Sequence, residues 1–131
     1  MRDTDEYYTS MKQEMPMLKK ILNKFLILHE VRGVIVVREN GEIIENIKSG
    51  IEFDDNFMNA VSTLMQDSKA IADNFSNAPI SMVFMEFSEY FLLLGPLTEK
   101  FFLLIIAQNT ANIGQITYEI KKNTEEIVSL L

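Results

Sequence analysis

The chain has 131 residues, 47% hydrophobic and 24% charged, a composition typical of one soluble globular domain. Its net charge of −7 argues against a nucleic-acid surface, because binding phosphates requires clustered Lys and Arg side chains. The absence of cysteine excludes disulfides, thiolate catalysis and cysteine-based metal sites. The N-terminus is acidic without an apolar core, and no unbroken apolar run approaches the roughly 20 residues that span a bilayer. We therefore expect a cytoplasmic protein without membrane insertion.

The first half of the sequence predicts a helix followed by a hairpin. Apolar residues recur at helical spacing from Pro16, which suits a first helical turn, and Gly33 is predicted to end this helix. Asn40-Gly41 then favours a tight hairpin, because this pair supplies the positive φ angles that the turn requires. The first strand is apolar on both faces and predicted to be central, whereas the second carries charge and suits an edge. The two predicted strands are Val34–Val37 and Glu42–Glu45.

A long second helix is predicted next, with apolar residues on more than one side. Asp54 or Asp55 can cap its start, because an aspartate side chain accepts from the free N–H groups of the first turn. Apolar residues continue at helical spacing from Phe57 to Phe75, which corresponds to about five turns. The run Asn77-Ala78-Pro79 is predicted to end this helix.

The second half of the chain predicts three strands and a closing helix. Gly95-Pro96, near the end of the middle strand, indicates either a bulge or an early stop in hydrogen bonding. The closing helix is predicted to be interrupted at Asn123 or Thr124. Its apolar face holds Ile113, Ile116, Ile120, Ile127 and Leu131. The three strands are Ile80–Phe87, Tyr90–Leu97 and Phe101–Ala107.

The predicted element order is α-β-β-α-β-β-β-α, an α+β arrangement with helices covering the faces of a sheet. Tight turns join the strands within each group, so pairing within each group is predicted to be antiparallel. Residues 1–14 are polar without a clear period, and we treat them as an N-terminal extension compatible with disorder. A single domain is predicted over residues 15–131.

The junction between the last strand and the last helix carries a short signature, Ala111-Asn112-Ile113-Gly114. Together with the element order and the Val34–Glu45 hairpin, this signature resembles the roadblock/dynein light chain family over about residues 17–131. The run Gln115-Ile116-Thr117 departs from the family, since many members carry an arginine about three residues beyond the Asn. We expect Asn112 to cap the helix and Gly114 to allow close approach or an unusual φ angle.

The resemblance implies a five-stranded antiparallel sheet between helices and a homodimer built through the second helix and the third strand. Members of this family regulate or scaffold Ras-like small GTPases, or attach cargo to motors, and have no active site of their own. The resemblance therefore implies a non-enzymatic dimeric regulator or scaffold of a Ras-like GTPase that acts by protein–protein contact.

The expected dimer and partner interface lies on the second helix and third strand, where methionines are frequent. Methionine adapts to irregular surfaces, although the same residues suit an ordinary core equally well. The structural signature is assigned to Asn40, Gly41, Asn112 and Gly114. The expected interface residues are Phe57, Met58, Val61, Leu64, Met65, Ser68, Met82 and Phe84.

Catalytic, metal and cofactor sites are not predicted. His29 is the single histidine, and its expected place in the last turn of the first helix is explained by the helix dipole. The five glycines are dispersed, so no phosphate-binding loop is present. Of Arg2, Arg32 and Arg38, none falls on the expected interface, which disfavours an arginine finger from this chain. An alternative interpretation is an adaptor or small-molecule sensor of longin/profilin-like architecture without a GTPase partner.

Overall fold

The computed structural model describes residues 17–75 and 79–131. It contains one antiparallel five-stranded sheet in the order β2-β1-β5-β4-β3, which confirms the predicted fold class and element order. The strands are β1 (Val31–Arg38), β2 (Ile43–Lys48), β3 (Val83–Glu86), β4 (Tyr90–Pro96) and β5 (Phe101–Gln108). The helices are α1 (17–23, continued by a 3-10 turn at Lys24–Ile27), α2 (Asp55–Ala72) and α3 (Ile113–Ser129). No helix of these two described ranges is long and apolar enough to cross a membrane.

The centre of the sheet is built from the two most apolar segments. Strand β1 pairs with both β2 and β5, as its two apolar faces predicted, and Ile35 lies opposite Leu104. Val34 and Ile105, also paired, point to the other face. All four side chains are fully buried, and each such burial contributes roughly 1.5–3 kcal/mol of stability.

Helices cover both faces of the sheet and create two separate core layers. Helices α1 and α3 pack on one face, where Leu22, Phe25 and Ile116 meet side chains of the central strands. On the other face, α2 is the single helix among the described residues, and it packs there through Met58 and Met65 among others. We call these the α1/α3 face and the α2 face. A single helix covers much less of a five-stranded sheet than two helices do.

Several predicted boundaries are corrected by the structure. The first helix gives way to an extended residue at Leu28, and Gly33 lies inside β1, where the register with β5 shifts. Its Cβ position is 3.0 Å from the Ile51 side chain, so the glycine makes room for the segment after β2. Pro16, the residues Ser76–Ala78 and the extension over 1–14 lie outside the described residues.

The third strand is shorter than predicted, with four paired residues instead of eight. Its pairing with β4 ends at Leu94, so Gly95 and Pro96 pair with β5 alone and in regular register. The expected bulge at this pair is therefore wrong. The expected early stop in hydrogen bonding is present on the β3 side only.

Helix α3 is continuous through its buried polar position. Asn123 faces the α1/α3 core between Ile120 and Ile127, and the helix continues to Ser129. The Asn123 side-chain amide donates to the Glu119 carbonyl at 2.8 Å, which satisfies the donor locally. The predicted interruption of the helix is therefore wrong.

Candidate interaction surface

Helix α2 begins at an aspartate cap and meets the sheet through one side. Asp54 Oδ1 accepts the Phe57 N–H at 2.9 Å, which satisfies one of the free donors of the first turn. The side chains of Met58, Val61 and Met65 are buried against the sheet in the α2-face core. These three predicted interface residues therefore pack within their own chain.

One flank of α2 is polar and is tied to turns that lie far away in sequence. The Ser62 hydroxyl and the Gln66 amide both donate to the Glu39 carbonyl, at 2.5 and 3.1 Å. Further along the helix, Lys69 Nζ lies 3.4 Å from the Glu99 carbonyl oxygen. These hydrogen bonds fix the rotation of α2 about its own axis, because they hold one side of it to the β1–β2 and β4–β5 turns.

The opposite flank of α2 is apolar and open to solvent. Phe57, Leu64 and Ile71 are spaced by seven residues, and such positions drift by only about 20° per repeat around a helix. Phe57 and Leu64 are half-buried, whereas Ile71 is 64% exposed. The small residues Ala60 and Ser68 lie between them on the same side. We call these five residues the α2 flank.

Strand β3 is an edge of the sheet and carries exposed apolar side chains. It pairs with β4 only, so its outer backbone groups have no partner strand in the described part of the chain. Met85 is 42% exposed and lies opposite Leu92, which belongs to the α2 face. Phe84 is 44% exposed and contacts Phe91 on the α1/α3 face, with ring centroids 5.3 Å apart. An exposed apolar edge of this kind is a template for pairing with another strand.

An open groove of about 500 Å³ lies between the start of α2 and the β3–β4 turn. Phe53 and Phe57 form one aromatic pair in its lining, with centroids 5.6 Å apart, and Phe87 and Tyr90 form another at 6.3 Å. We call this the aromatic groove. The lining also includes Ile51, Glu52, Asp54, Leu92 and Ile106. Because Phe57 belongs to both, the groove continues the α2 flank at its N-terminal end.

The eight expected interface residues do not form one surface in the single chain. Phe57, Leu64 and Ser68 lie on the α2 flank. Met58, Val61 and Met65 instead lie on the side of α2 that is buried against the sheet. Met82 packs against the α1/α3 core, and Phe84 lies on that same face, away from α2. The assignment of an interface to these residues stays a prediction. The methionines of the third strand, Met85 among them, were already candidates in the sequence. The expected interface did not include the exposed Ile71, Phe75 and Phe87 or the half-buried Phe53 and Tyr90.

The four signature residues have local structural roles. Gly41 has a φ of +94°, and Asn40 Oδ1 accepts the N–H two residues further on at 3.0 Å. The turn closes as a three-residue hairpin loop, since the Gly41 N–H donates to the Arg38 carbonyl at 2.8 Å. Asn112 Oδ1 accepts the N–H three residues further on at 3.0 Å and caps α3. At Gly114, φ is not positive, and an added Cβ would meet only that cap oxygen, at 3.3 Å.

The positions of the histidine and arginines bear on possible chemistry. His29 is exposed in the turn before β1, so its expected place within the first helix is wrong. Arg38 Nε lies 3.0 Å from Glu42 Oε2, at an angle poor for a hydrogen bond, and the guanidinium stacks on Phe101 at 5.3 Å. Within residues 17–75 and 79–131, no group of three His, Asp or Glu side chains is placed to hold a metal ion.

Comparison with solved structures shows that this architecture is the roadblock/LC7 fold. A roadblock/LC7 domain from Streptomyces avermitilis matches with a TM-score of 0.70 at 13% identity, over 82% of this chain and 91% of that one. The sequence itself matches no protein-family profile and no curated protein.

Two structures of MglB are also similar to the chain. MglB from Myxococcus xanthus has a TM-score of 0.78 at 16% identity, over 87% of this chain and 94% of that one. An MglB with a tetrameric arrangement also scores 0.78, at 14% identity over 89% of both chains. Profilin from Schizosaccharomyces pombe scores 0.58 at 9% identity, over 83% and 94%. The TM-scores of the roadblock/LC7 and MglB structures establish a shared fold, and they confirm the fold that the sequence resemblance implied.

Proposed function

We propose that the protein is a non-enzymatic, homodimeric regulator or scaffold of a Ras-like small GTPase and acts in the cytoplasm. The observation that carries the proposal is that the α2 flank and the β3 edge both leave apolar side chains open to solvent. Both elements lie where a roadblock dimer is expected to form. The resemblance to the roadblock family supplies the GTPase as the class of partner.

Both dimerisation and partner binding can be argued from the side chains of α2 that are exposed in the single chain. The apolar flank would be buried by a second copy, because exposed apolar side chains at helical spacing gain stability when they leave water. The remaining exposed side of α2 is polar and includes Asn59, Thr63 and Asp67. Two such helices side by side would present these residues on one joint surface, and we propose that this surface contacts the switch region of the GTPase.

Regulation would then act by surface complementarity. A surface that binds one nucleotide state more tightly shifts the GTPase toward that state by its difference in affinity. We assign no arginine finger to Arg38, because its guanidinium lies against Glu42 and stacks on Phe101. The surface would therefore order switch residues of the GTPase itself.

The test uses purified Ras-like GTPases encoded in the same genome, each loaded with GDP or with a non-hydrolysable GTP analogue. We expect one of them to bind, with different affinities for the two states, in titration calorimetry. Hydrolysis and nucleotide-release rates then assign the role: faster hydrolysis means activation, faster release means exchange, and neither means scaffolding. Absence of binding in both nucleotide states across these GTPases would contradict the proposal.

A matched pair of variants separates specific from incidental binding. Thr63→Glu places a charge on the exposed polar side of α2 and is expected to weaken the GTPase complex while leaving the dimer intact. Lys121→Glu changes the charge on α3, on the far side of the sheet, and is expected to leave both unchanged.

A second candidate is the adaptor or small-molecule sensor module. The aromatic groove favours it, since about 500 Å³ lies within the roughly 300–1,000 Å³ of typical ligand pockets. A sensor of this kind would be stabilised against heat by small apolar ligands while remaining monomeric. A regulator of the proposed kind would instead have its groove covered by the second copy.

A further inference from the structure

The aromatic groove combines an apolar base with two pairs of aromatic rings. The buried residues Leu92 and Ile106, which pair across β4 and β5, line it from the sheet. One ring pair lines it from the start of α2 and the other from the β3–β4 turn. The face of an aromatic ring carries partial negative charge, so it attracts a cation more strongly than a neutral group of the same size. The charge of a ligand therefore matters at this groove as well as its apolar surface.

The chain itself places an ammonium group on the lining of this groove. Lys48 Nζ lies over the Phe53 ring, 5.1 Å from its centroid, and 2.8 Å from Glu52 Oε2. Phe53 and Glu52 both line the groove, whereas Lys48 reaches them from the end of β2. A ring face and a carboxylate on the same ammonium stabilise it by cation–π attraction and by a charge-assisted hydrogen bond. Phe53 and Glu52 are therefore arranged to bind a positively charged nitrogen.

The charge around the aromatic groove is negative. Among the described residues, its lining includes the carboxylates of Glu52 and Asp54 and no lysine or arginine. Glu86 and Glu89 add two carboxylates at the β3–β4 turn. The positive end of the α2 dipole would oppose a cation here, but Asp54 caps it and Asp55 lies in its first turn. The groove is therefore complementary in charge to a cation.

We propose that the aromatic groove binds a small organic cation with a quaternary ammonium head group. The methyl groups of such a head group pack on the rings and on the apolar base, while its charge is stabilised by the ring faces and by Glu52. The groove volume of about 500 Å³ suits a small molecule of this kind. The inference goes beyond the proposed regulator and gives the small-molecule alternative a class of ligand.

A ligand in the groove is expected to compete with dimerisation. Phe57 belongs to both the groove and the α2 flank, and a second copy on that flank would cover the groove. This step rests on the proposed function, namely on a dimer that forms through α2. Ligand at ten times its own Kd stabilises each free copy about tenfold, so the apparent Kd of the dimer should rise about 100-fold.

The test compares choline with neohexyl alcohol, which has the same shape but carbon in place of the charged nitrogen. Each is titrated into isotope-labelled protein and followed by amide NMR spectra, with NaCl keeping the ionic strength equal. We expect saturable shifts at the residues that line the groove, and about tenfold tighter binding of choline than of the alcohol. Equal affinities would show a merely apolar site and overturn the proposal. Choline titrations without shifts at the groove would also overturn it.

Two matched pairs of variants test the residues assigned to the cation. Phe53→Leu keeps an apolar side chain but removes the ring, so choline should lose most of its advantage over the alcohol. The control Phe84→Leu removes a ring on the α1/α3 face and should leave that advantage unchanged. If both variants keep the advantage, Phe53 does not bind the cation.

Lys48→Met removes the lysine that occupies Phe53 and Glu52, so it should strengthen choline binding about threefold or more. Lys100→Met changes the net charge equally, but it lies in the β4–β5 turn at the other end of the sheet. Its effect on choline binding should be much smaller. Equal effects of the two variants would show that choline responds only to overall charge, which would overturn the assigned site.

Sedimentation velocity in saturating choline, compared with NaCl at the same ionic strength, tests the competition with dimerisation. We expect a larger monomer fraction in choline. An unchanged Kd of the dimer while choline is bound would overturn the competition. A dimer that binds no choline would overturn the ligand site and leave the proposed function standing. A protein that is monomeric at every concentration and binds choline would do the reverse.

Discussion

Leu64→Glu is the substitution that our account predicts to separate the dimer most strongly. Leu64 keeps at most about a third of its surface exposed in the single chain, so completing its burial contributes at most about a third of the 1.5–3 kcal/mol of a full leucine, or ~0.5–1 kcal/mol. A carboxylate left without a partner in a closed interface costs roughly 1–3 kcal/mol or more. Both effects occur in each copy.

Summed over both copies, the expected destabilisation of the dimer is about 3–8 kcal/mol, or about 10²- to 10⁶-fold in Kd. The fold itself should lose much less, because the introduced carboxylate would be solvated at the edge of α2 in the monomer. We expect light scattering to return a monomer mass at concentrations where the parent protein is a dimer. Urea unfolding of the monomeric variant should still be cooperative.

The matched control is Ala70→Glu, which adds the same charge at an exposed position outside the flank. It should change Kd less than threefold, since surface substitutions away from special features usually stay within about 0.5 kcal/mol. If Leu64→Glu and Ala70→Glu have equal effects on Kd, the α2 flank is not the dimer surface.

Three further predictions concern stability and the sheet edge. Asp54→Ala should lower the free energy of unfolding in urea by about 1 kcal/mol, because it removes the cap of α2. The control Asp55→Ala should lower it less, because the Asp55 side chain does not cap the helix. Gly41→Ala should cost about 1–2 kcal/mol in urea, because its φ of +94° strains any residue with a Cβ. Gly95→Ala is its control, since an added Cβ would meet only Ile120 at an ordinary 3.8 Å. Met85→Lys should weaken the dimer about tenfold or more in sedimentation velocity, because a charged edge opposes strand pairing; an unchanged Kd would exclude β3 from the interface.

Local signals explain which parts of the fold could be predicted from the sequence. The cap at Asp54, the turn at Gly41 and the strand-to-helix junction at Asn112 each depend on residues within four positions of one another. The two apolar faces of β1 likewise indicated a central strand. Short-range hydrogen bonds and periodicity therefore sufficed for element order and fold class.

The candidate surface was harder to predict, because its exposure depends on contacts made far along the chain. The rotation of α2 is fixed by Ser62 and Gln66, whose common acceptor at Glu39 lies 23 and 27 residues away. Met58 and Ile71 are both apolar, so the sequence alone does not show that Met58 is buried and Ile71 is exposed. The seven-residue spacing of Phe57, Leu64 and Ile71 does not distinguish them either, since the buried Met58 and Met65 are also seven residues apart.

The length of β3 and the continuity of α3 were also decided by tertiary context. The apolar residues over 80–87 suited a full strand, but the structure pairs only Val83–Glu86 with β4. Asn123 suggested a break in the last helix. Its side chain instead donates to the Glu119 carbonyl of the preceding turn, which makes burial inside the helix tolerable.

The mass of the unmodified protein in solution tests the central claim, that the chain works as a dimer through α2 and β3. Light scattering coupled to size-exclusion chromatography, run over a range of micromolar concentrations, gives this mass directly. We predict twice the 15.1 kDa of one chain. A single species of 15.1 kDa throughout that range would contradict both the dimer and the joint surface offered to a GTPase.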